Sequence, residues 1–310
     1  MKTNISLLKK IKKYDSITLH NRKDDENLNN NILKAIINLV QTPSFELKEY
    51  YSNHNRANSM GDALEEYIKD IFAGTYAITN EQERLEKISE VFSYLGNNSN
   101  PPDAMLKKGD AIEVKKIENN NASLALNSSY PKHKLFADSP MISLHCRDAE
   151  EWNEKDIIYA VGVVDNNKLM NLSFVYGLDY CASEETYTKI KTKIKDGVEA
   201  IPGVEFSETR ELGRVNKVDP LGITYLRVRG MWGIENPWTV FKYVYEKDLS
   251  KEFNFFAIIN EEKYADFSKE DRKEFEDFVN KSDLNMTKVK IKNPDNPAIL
   301  NMAYLITYSK

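Results

Sequence analysis

Residues 101–116 read PPDAMLKKGDAIEVKK. Two short runs with alternating apolar side chains, Ala104-Met105-Leu106 and Ala111-Ile112-Glu113-Val114-Lys115, flank Lys107-Lys108-Gly109-Asp110. A short connection containing glycine between two such runs predicts a tight β-hairpin. Side chains two apart on a strand share a face, so Glu113 and Lys115 project together. The neighbouring strand carries Asp103, which follows a proline, and can bring it beside them. Two carboxylates and one ammonium at one sheet edge suit a Mg2+ ion and an activated water. Glu113 also lies inside an apolar strand pattern, where an unpaired carboxylate is costly. A plain salt bridge between Asp103 and Lys115 is the alternative reading.

Around this hairpin the chain is that of an ordinary soluble globular protein. With 310 residues it can bury a sizeable core, as one large domain or two modest ones. The net charge of −5 gives no overall attraction to nucleic acid. Local charge differs. Between 210 and 229, Arg210, Arg214, Lys217, Arg227 and Arg229 outnumber Glu211 and Asp219. Between 107 and 134, the lysines outnumber Asp110, Glu113 and Glu118. A protein that meets DNA through one cleft need be basic only there. Cys146 and Cys181 form no CxxC pair, which argues against structural zinc and for two buried free thiols in a reducing cytoplasm. The lysine-rich start MKTNISLLKKIKKYD does not suit a cleaved signal peptide, and no apolar run is long enough for a bilayer span.

Residues 1–30 read as an appended arm with a short basic amphipathic stretch at 7–11. Helical periodicity runs from Asn31 to Val40 and stops at Thr42-Pro43-Ser44. Ser59 can cap a helix that puts Leu64, Tyr67, Ile68, Ile71 and Phe72 on one face and ends at Gly74. A further helix is expected over 80–92, with Leu85, Ile88, Val91 and Phe92 inward. After the hairpin, strands are expected at 123–127, 156–164 and 169–176, and a helix at 184–196. In the last third, 222–229 reads as a strand with Ile223, Tyr225, Arg227 and Arg229 on one parity. Strands are expected at 241–245, 253–259 and 302–307, and a charged helix at 268–280. This order of elements argues an α/β or α+β fold. The division is an extension at 1–30, a catalytic core at 31–200, and a DNA-recognition and sheet-completing region of the same domain at 201–310.

Asp103, Glu113 and Lys115 match the PD-(D/E)xK signature of the restriction-endonuclease-like nucleases. Longer stretches resemble the NgoPII-type family of type II restriction endonucleases: NSMGDALEEYIKDIFAG (58–74), NPPDAMLKKGDAIEVKKIE (100–118), LALNSSYPKHKLFADSP (124–140) and ELGRVNKVDPLGITYLRVRGMW (211–232). With NILKAIINLV at 31–40, the resemblance runs from about residue 31 to the C-terminus. It implies a central mixed β-sheet flanked by helices. It also implies a homodimer that cleaves double-stranded DNA with Mg2+ at a palindromic GGCC target, functionally paired with a cognate DNA methyltransferase. The rival readings are a repair or junction-resolving nuclease of the same fold, and a non-catalytic DNA-binding module.

In this reading Asp103 and Glu113, with the Val114 carbonyl, would hold Mg2+, and Lys115 would orient the attacking water and stabilise the transition state. Glu65 or Glu66, on the preceding helix, could reach the site as a further ligand, or face solvent. Asn127, Ser128, Ser129 and Lys132 suit phosphate contacts, or an ordinary polar turn. Lys116 leaves the opposite face from Lys115, toward a phosphate or solvent. Arginine forks pair with guanine O6 and N7, so Arg227 and Arg229 are candidate base readers, with Arg214, Asn216 and Lys217 in a preceding loop. Both arginines could instead hold phosphates or internal carboxylates. Trp232 could touch the groove or pack in the core. No histidine pair has ligand spacing, and neither GxGxxG nor GxxxxGK[ST] occurs.

Overall fold

A computed structural model describes residues 30–310 except 48–50, 52–58, 98–99, 166, 203–204 and 208–210. The amphipathic stretch expected at 7–11 lies outside the described residues. Helix α1 (Ile32–Gln41) begins where the Asn31 side chain accepts from the Leu33 and Lys34 amides. Helix α2 (Met60–Ala73) begins with a reciprocal box between Ser59 and Asp62 and ends at Gly74, whose φ of 66° only glycine adopts freely. All five residues expected on the inner face of α2 are buried.

Helix α3 (Glu81–Val91) corrects the expected packing. Leu85 is 52% exposed, and Arg84 points inward instead. The reason is Asp70 on α2, whose carboxylate takes Arg84 Nε at 2.7 Å; charge pairing, not hydropathy, chooses the inner face here. Phe92 opens strand β1 (Phe92–Asn97) rather than closing the helix.

The hairpin forms as expected, from β2 (Asn100–Leu106) and β3 (Ala111–Ile117), with Ala104 opposite Ile112 and Met105 opposite Ala111. Strands β4 (Leu124–Asn127), β5 (Lys134–Phe136), β6 (Glu154–Asp165) and β7 (Lys168–Tyr176) follow, with helices α4 (Leu144–Arg147), α5 (Gly177–Tyr180) and α6 (Glu184–Glu199). Next come β8 (Glu205–Phe206), β9 (Gly213–Asn216), β10 (Leu226–Val228), β11 (Trp232–Ile234) and helix α7 (Pro237–Val240). The chain closes with β12 (Asn254–Asn260), α8 (Glu261–Asp266), α9 (Lys269–Val279), β13 (Asn285–Lys292) and β14 (Leu300–Ser309).

Three expectations change. The strand over 222–229 shrinks to Leu226–Val228, because an Asp219-centred turn holds the amides of Leu221 and Thr224. Arg214 and Asn216 lie on β9 rather than in a loop; Lys217 follows at φ 49°. The expected strand at 241–245 is a turn after α7, because the Asn236-Pro237 start nucleates a helical turn whose carbonyls take the Val240 and Phe241 amides.

The main sheet runs β1-β2-β3-β6-β7-β12-β14-β13, with β5 also paired to β6. It is mixed: β3 with β6 and β7 with β12 are parallel, and the other pairs are antiparallel. Helices α1, α2, α3 and α9 cover one face, burying Ile36, Leu64, Ile88 and Phe275 against Ile112, Val114 and Phe174. The other face carries α4, α5 and α7 through Cys146, Tyr180 and Trp238. Both cysteines are buried and free. A Cβ on Gly162 of β6 would lie 2.6 Å from Leu64 Cδ2, so the missing side chain lets α2 seat directly on the sheet beside β3. Two small sheets, β10-β9-β8 and β11-β4, stand off the main one. Among the described residues, no helix is long and apolar enough to cross a membrane.

Candidate active site

Alternation along β3 sends Ile112 and Val114 to the helix-covered face and Ala111, Glu113, Lys115 and Ile117 to the other. On β2, Met105 shares that second face, and Asp103 lies two residues before it. Direct pairing of β2 with β3 ends at Ala104–Ile112, so the two strands part beside Val114. Asp103 fills the gap: its Oδ2 accepts the Val114 amide at 2.7 Å. In a strand the N–H and C=O of one residue point the same way. The Val114 carbonyl therefore also faces the gap, and Val114 lines the cleft there.

Glu113 Oε1 accepts from Lys115 Nζ at 2.6 Å. Among the described residues Glu113 Oε2 is buried with no hydrogen-bond partner. Burial, then the Asp103 charge, pushes the Glu113 carboxyl up to about 7 despite Lys115. Burial raises Asp103 as well, outweighing Lys115. Burial works against the Lys115 ammonium, but Glu113 and Asp103 outweigh it and hold its pKa above the usual value. The site thus concentrates negative charge that one lysine does not neutralise.

The two helix carboxylates separate. Glu65 lines the cleft, and burial followed by the Asp103 charge raises its pKa. Glu66 is a structural partner: its oxygens accept from Lys69 at 2.9 Å and Arg84 at 2.6 Å, and these cations hold it low against the pull of burial.

These residues open into a cleft of about 390 Å³, whose far wall is Ala125 to Tyr130 with Lys132. Asn127, Ser128, Ser129 and Lys132 are therefore brought to the carboxylates of Glu65, Asp103 and Glu113. Lys132 is not the solvated lysine of an ordinary polar turn: it is 8% exposed, with its Nζ 3.9 Å above the Tyr130 ring. Burial lowers its pKa. Tyr159 explains its placement, since its hydroxyl accepts from the Lys132 amide at 2.7 Å and donates to the Lys132 carbonyl at 3.1 Å. Tyr159 is also the β6 partner of Glu113. The sequence hid Tyr159 because it sits inside the apolar pattern of a buried strand, where nothing distinguishes a positioning hydroxyl from core. Lys116 pairs with exposed Glu118 at 3.1 Å and leaves the cleft.

The remaining basic candidates are not in the cleft. Arg227 and Arg229 lie on the exposed ribbon and share Glu211. Arg214 stacks on Tyr225 at 4.7 Å and also reaches Asn216; Lys217 pairs with Glu205 at 2.6 Å. The ribbon is tied to the cleft wall nonetheless. Trp232, three residues past Arg229, pairs in register with Asn127. Its half-buried indole meets Tyr130 and Tyr187 at 6.0 and 5.8 Å, so it neither joins the main core nor stands free.

Among the described residues no three His, Cys, Asp or Glu side chains gather into a metal-binding group. Asp103, Glu113 and the Val114 carbonyl could offer a metal ion two carboxylates and one carbonyl. That all-oxygen set, with one buried carboxylate oxygen lacking a partner, fits a hard divalent cation that keeps water and phosphate oxygens in its remaining positions.

The sequence profile of the NgoPII restriction endonuclease family matches residues 30–292. The chain is 57% identical, over 279 residues, to the type II restriction enzyme NgoPII of Neisseria gonorrhoeae, covering 90% of this chain and 99% of that protein. No solved structure matches.

Proposed function

The chain belongs to the NgoPII restriction endonuclease family, and from that premise we propose that Asp103, Glu113 and Lys115 cut one strand of a GGCC palindrome. The protein is a type II restriction endonuclease, and its substrate is double-stranded DNA. The observation that carries the site assignment is the buried Glu113 carboxylate, which feels the Asp103 charge, takes the Lys115 ammonium on one oxygen and has no partner among the described residues on the other.

In this reading Asp103, Glu113 and the Val114 carbonyl would hold Mg2+, and Glu65 would serve as an outer ligand. A bound divalent cation supplies positive charge to the scissile phosphate and acidifies a coordinated water. The chain's own groups do the rest. Asp103 keeps the strand gap open by taking the Val114 amide, which aims the neighbouring carbonyl into the cleft. Lys115 stays charged, so its ammonium can orient the attacking water and offset the charge that grows on phosphorus. Lys132, Asn127, Ser128 and Ser129 line the opposite wall and fix the backbone on either side of the cut. Arg227 and Arg229 read the two guanines of a half-site, with Arg214, Asn216 and Lys217 on the same ribbon, and Lys116, on the main sheet, offers its ammonium to a more distant phosphate. Two copies of the chain, one per strand, complete a palindromic cut, and a cognate methyltransferase protects the host genome in the same cytoplasm. Residues 31–200 form the cutting core in this reading, residues 201–310 the recognition part of the same unit, and residues 1–30 an extension.

Digestion of a mapped plasmid with Mg2+ tests this. Discrete fragments ending at GGCC are expected. A smear, or nicking confined to branched DNA, would refute the reading.

A further inference from the structure

Three side chains on the exposed ribbon grip one another. Arg227 donates through Nε to Glu211 Oε2 at 3.0 Å and through Nη2 to Glu211 Oε1. Arg229 donates through Nε to the same Oε1 at 2.6 Å. The carboxylate side chain is 16% exposed, whereas the arginines are 48% and 58% exposed. Backbone register sets this up. Gly213 pairs with Val228, and the Leu212 amide donates to the Val228 carbonyl at 3.1 Å. Glu211 therefore comes opposite the end of β10, where Arg227 and Arg229 share a parity.

The part of each arginine that is gripped matters. A guanidinium carries five N–H groups in a rigid plane, and bonds on its Nε edge leave N–H groups at its far end. Among the described residues, neither Nη group of Arg229, nor Nη1 or the second Nη2 hydrogen of Arg227, is taken by another side chain. That end is the fork that matches guanine O6 and N7. Without the shared carboxylate, two exposed guanidiniums two residues apart would repel and sample many rotamers.

Resting on the assignment of Arg227 and Arg229 as guanine readers, we propose that Glu211 is a positioning residue for base recognition. Its carboxylate holds both arginines by their Nε edges and presents their free ends together to the major groove. Glu211 acts through the arginines and touches neither the scissile phosphate nor the cleft.

Steady-state cleavage of the enzyme's mapped target, and of duplexes with one G·C pair changed to A·T, tests this in the full chain. The variants are Glu211→Ala, Glu211→Gln, Arg227→Ala and Arg229→Ala. Glu211→Ala should raise KM on the target about tenfold, leave kcat within about twofold, and cut the discrimination against altered sites about tenfold, within the range of one good base contact. Glu211→Gln keeps an acceptor oxygen and should recover part of the discrimination. Thermal unfolding should shift little, since both arginines are largely exposed and ion pairs made by exposed side chains add little stability. If Glu211→Ala changes affinity for target and altered duplexes by the same factor, the carboxylate is only a charge and the proposal fails. If the arginine variants keep full discrimination, the base-reader assignment falls and takes this proposal with it. If they lose discrimination and Glu211→Ala does not, the brace alone falls.

Discussion

A carboxylate placed as Glu113 is, buried near Asp103 with one oxygen lacking a hydrogen-bond partner among the described residues, is costly for the folded chain. The cost has a definite pH signature. Its folded pKa, about 7, lies above the ordinary glutamate value of 4.5, so the folded state holds its proton more tightly. Stability from this group is full below the unfolded pKa and is lost as pH rises toward and through 7. Without divalent cations, Glu113→Gln should therefore melt higher than the wild type at pH 8, by a free energy of order 1–3 kcal/mol, and nearly level with it at pH 5. Thermal unfolding at the two pH values checks this; a gap that does not widen with pH contradicts it. The two helix glutamates should separate as well. Glu66→Ala removes a partner of buried Arg84 and should cost about 2–4 kcal/mol of stability. Glu65→Ala should spare the fold and slow cleavage, as unfolding and single-turnover rates on the two variants will show. The adjacent pair was ambiguous in the sequence because both positions lie on the flank of the apolar stripe of α2. Only the position of Arg84 separates them, and a hydropathy pattern that expects Leu85 inward cannot supply it.

Elements carry the site through a few close approaches. A Cβ on Gly177 would lie 2.4 Å from the Lys132 carbonyl and 2.6 Å from that of His133, so α5 presses directly on the cleft wall. Gly177→Ala should push that wall aside, costing about 1–3 kcal/mol of stability and slowing cleavage at saturating DNA. Unchanged melting and unchanged rates would show that the wall is not held there. The hairpin itself was legible because turn chemistry and period-two alternation agree over 101–116. Helix α2 was legible because Ser59, the apolar stripe and Gly74 each mark it independently. Strand β1 was not, because Phe92 continues the periodicity of α3 and no glycine or proline separates the two. The 241–245 run was misread because an aromatic-rich turn and a short strand have the same composition. Phe241 is buried against Phe256 whichever backbone carries it.

For the whole molecule, the order of elements argues an α/β or α+β fold and the family resemblance implies a mixed sheet flanked by helices; the order of its strands lay beyond both. The pairing of β7 with β12 joins residues about eighty positions apart. Hydropathy records that each strand is buried and says nothing about which edge it meets. The same limit applies to the link between ribbon and cleft, which rests on the register of Trp232 with Asn127. That link predicts that recognition and cutting are coupled: Trp232→Ala should weaken cleavage of the target more than binding to it, as gel-shift and cleavage assays on one duplex will show. Equal losses would mean that the indole serves only the fold. The central claim is that Asp103, Glu113 and Lys115 together perform the cut. Single-turnover cleavage of the mapped target in Mg2+ by Asp103→Asn, Glu113→Gln and Lys115→Met tests it most directly. Each variant should bind the duplex and cut it at least about a thousandfold more slowly than the wild type; any one of them cutting within about tenfold of wild type would contradict it.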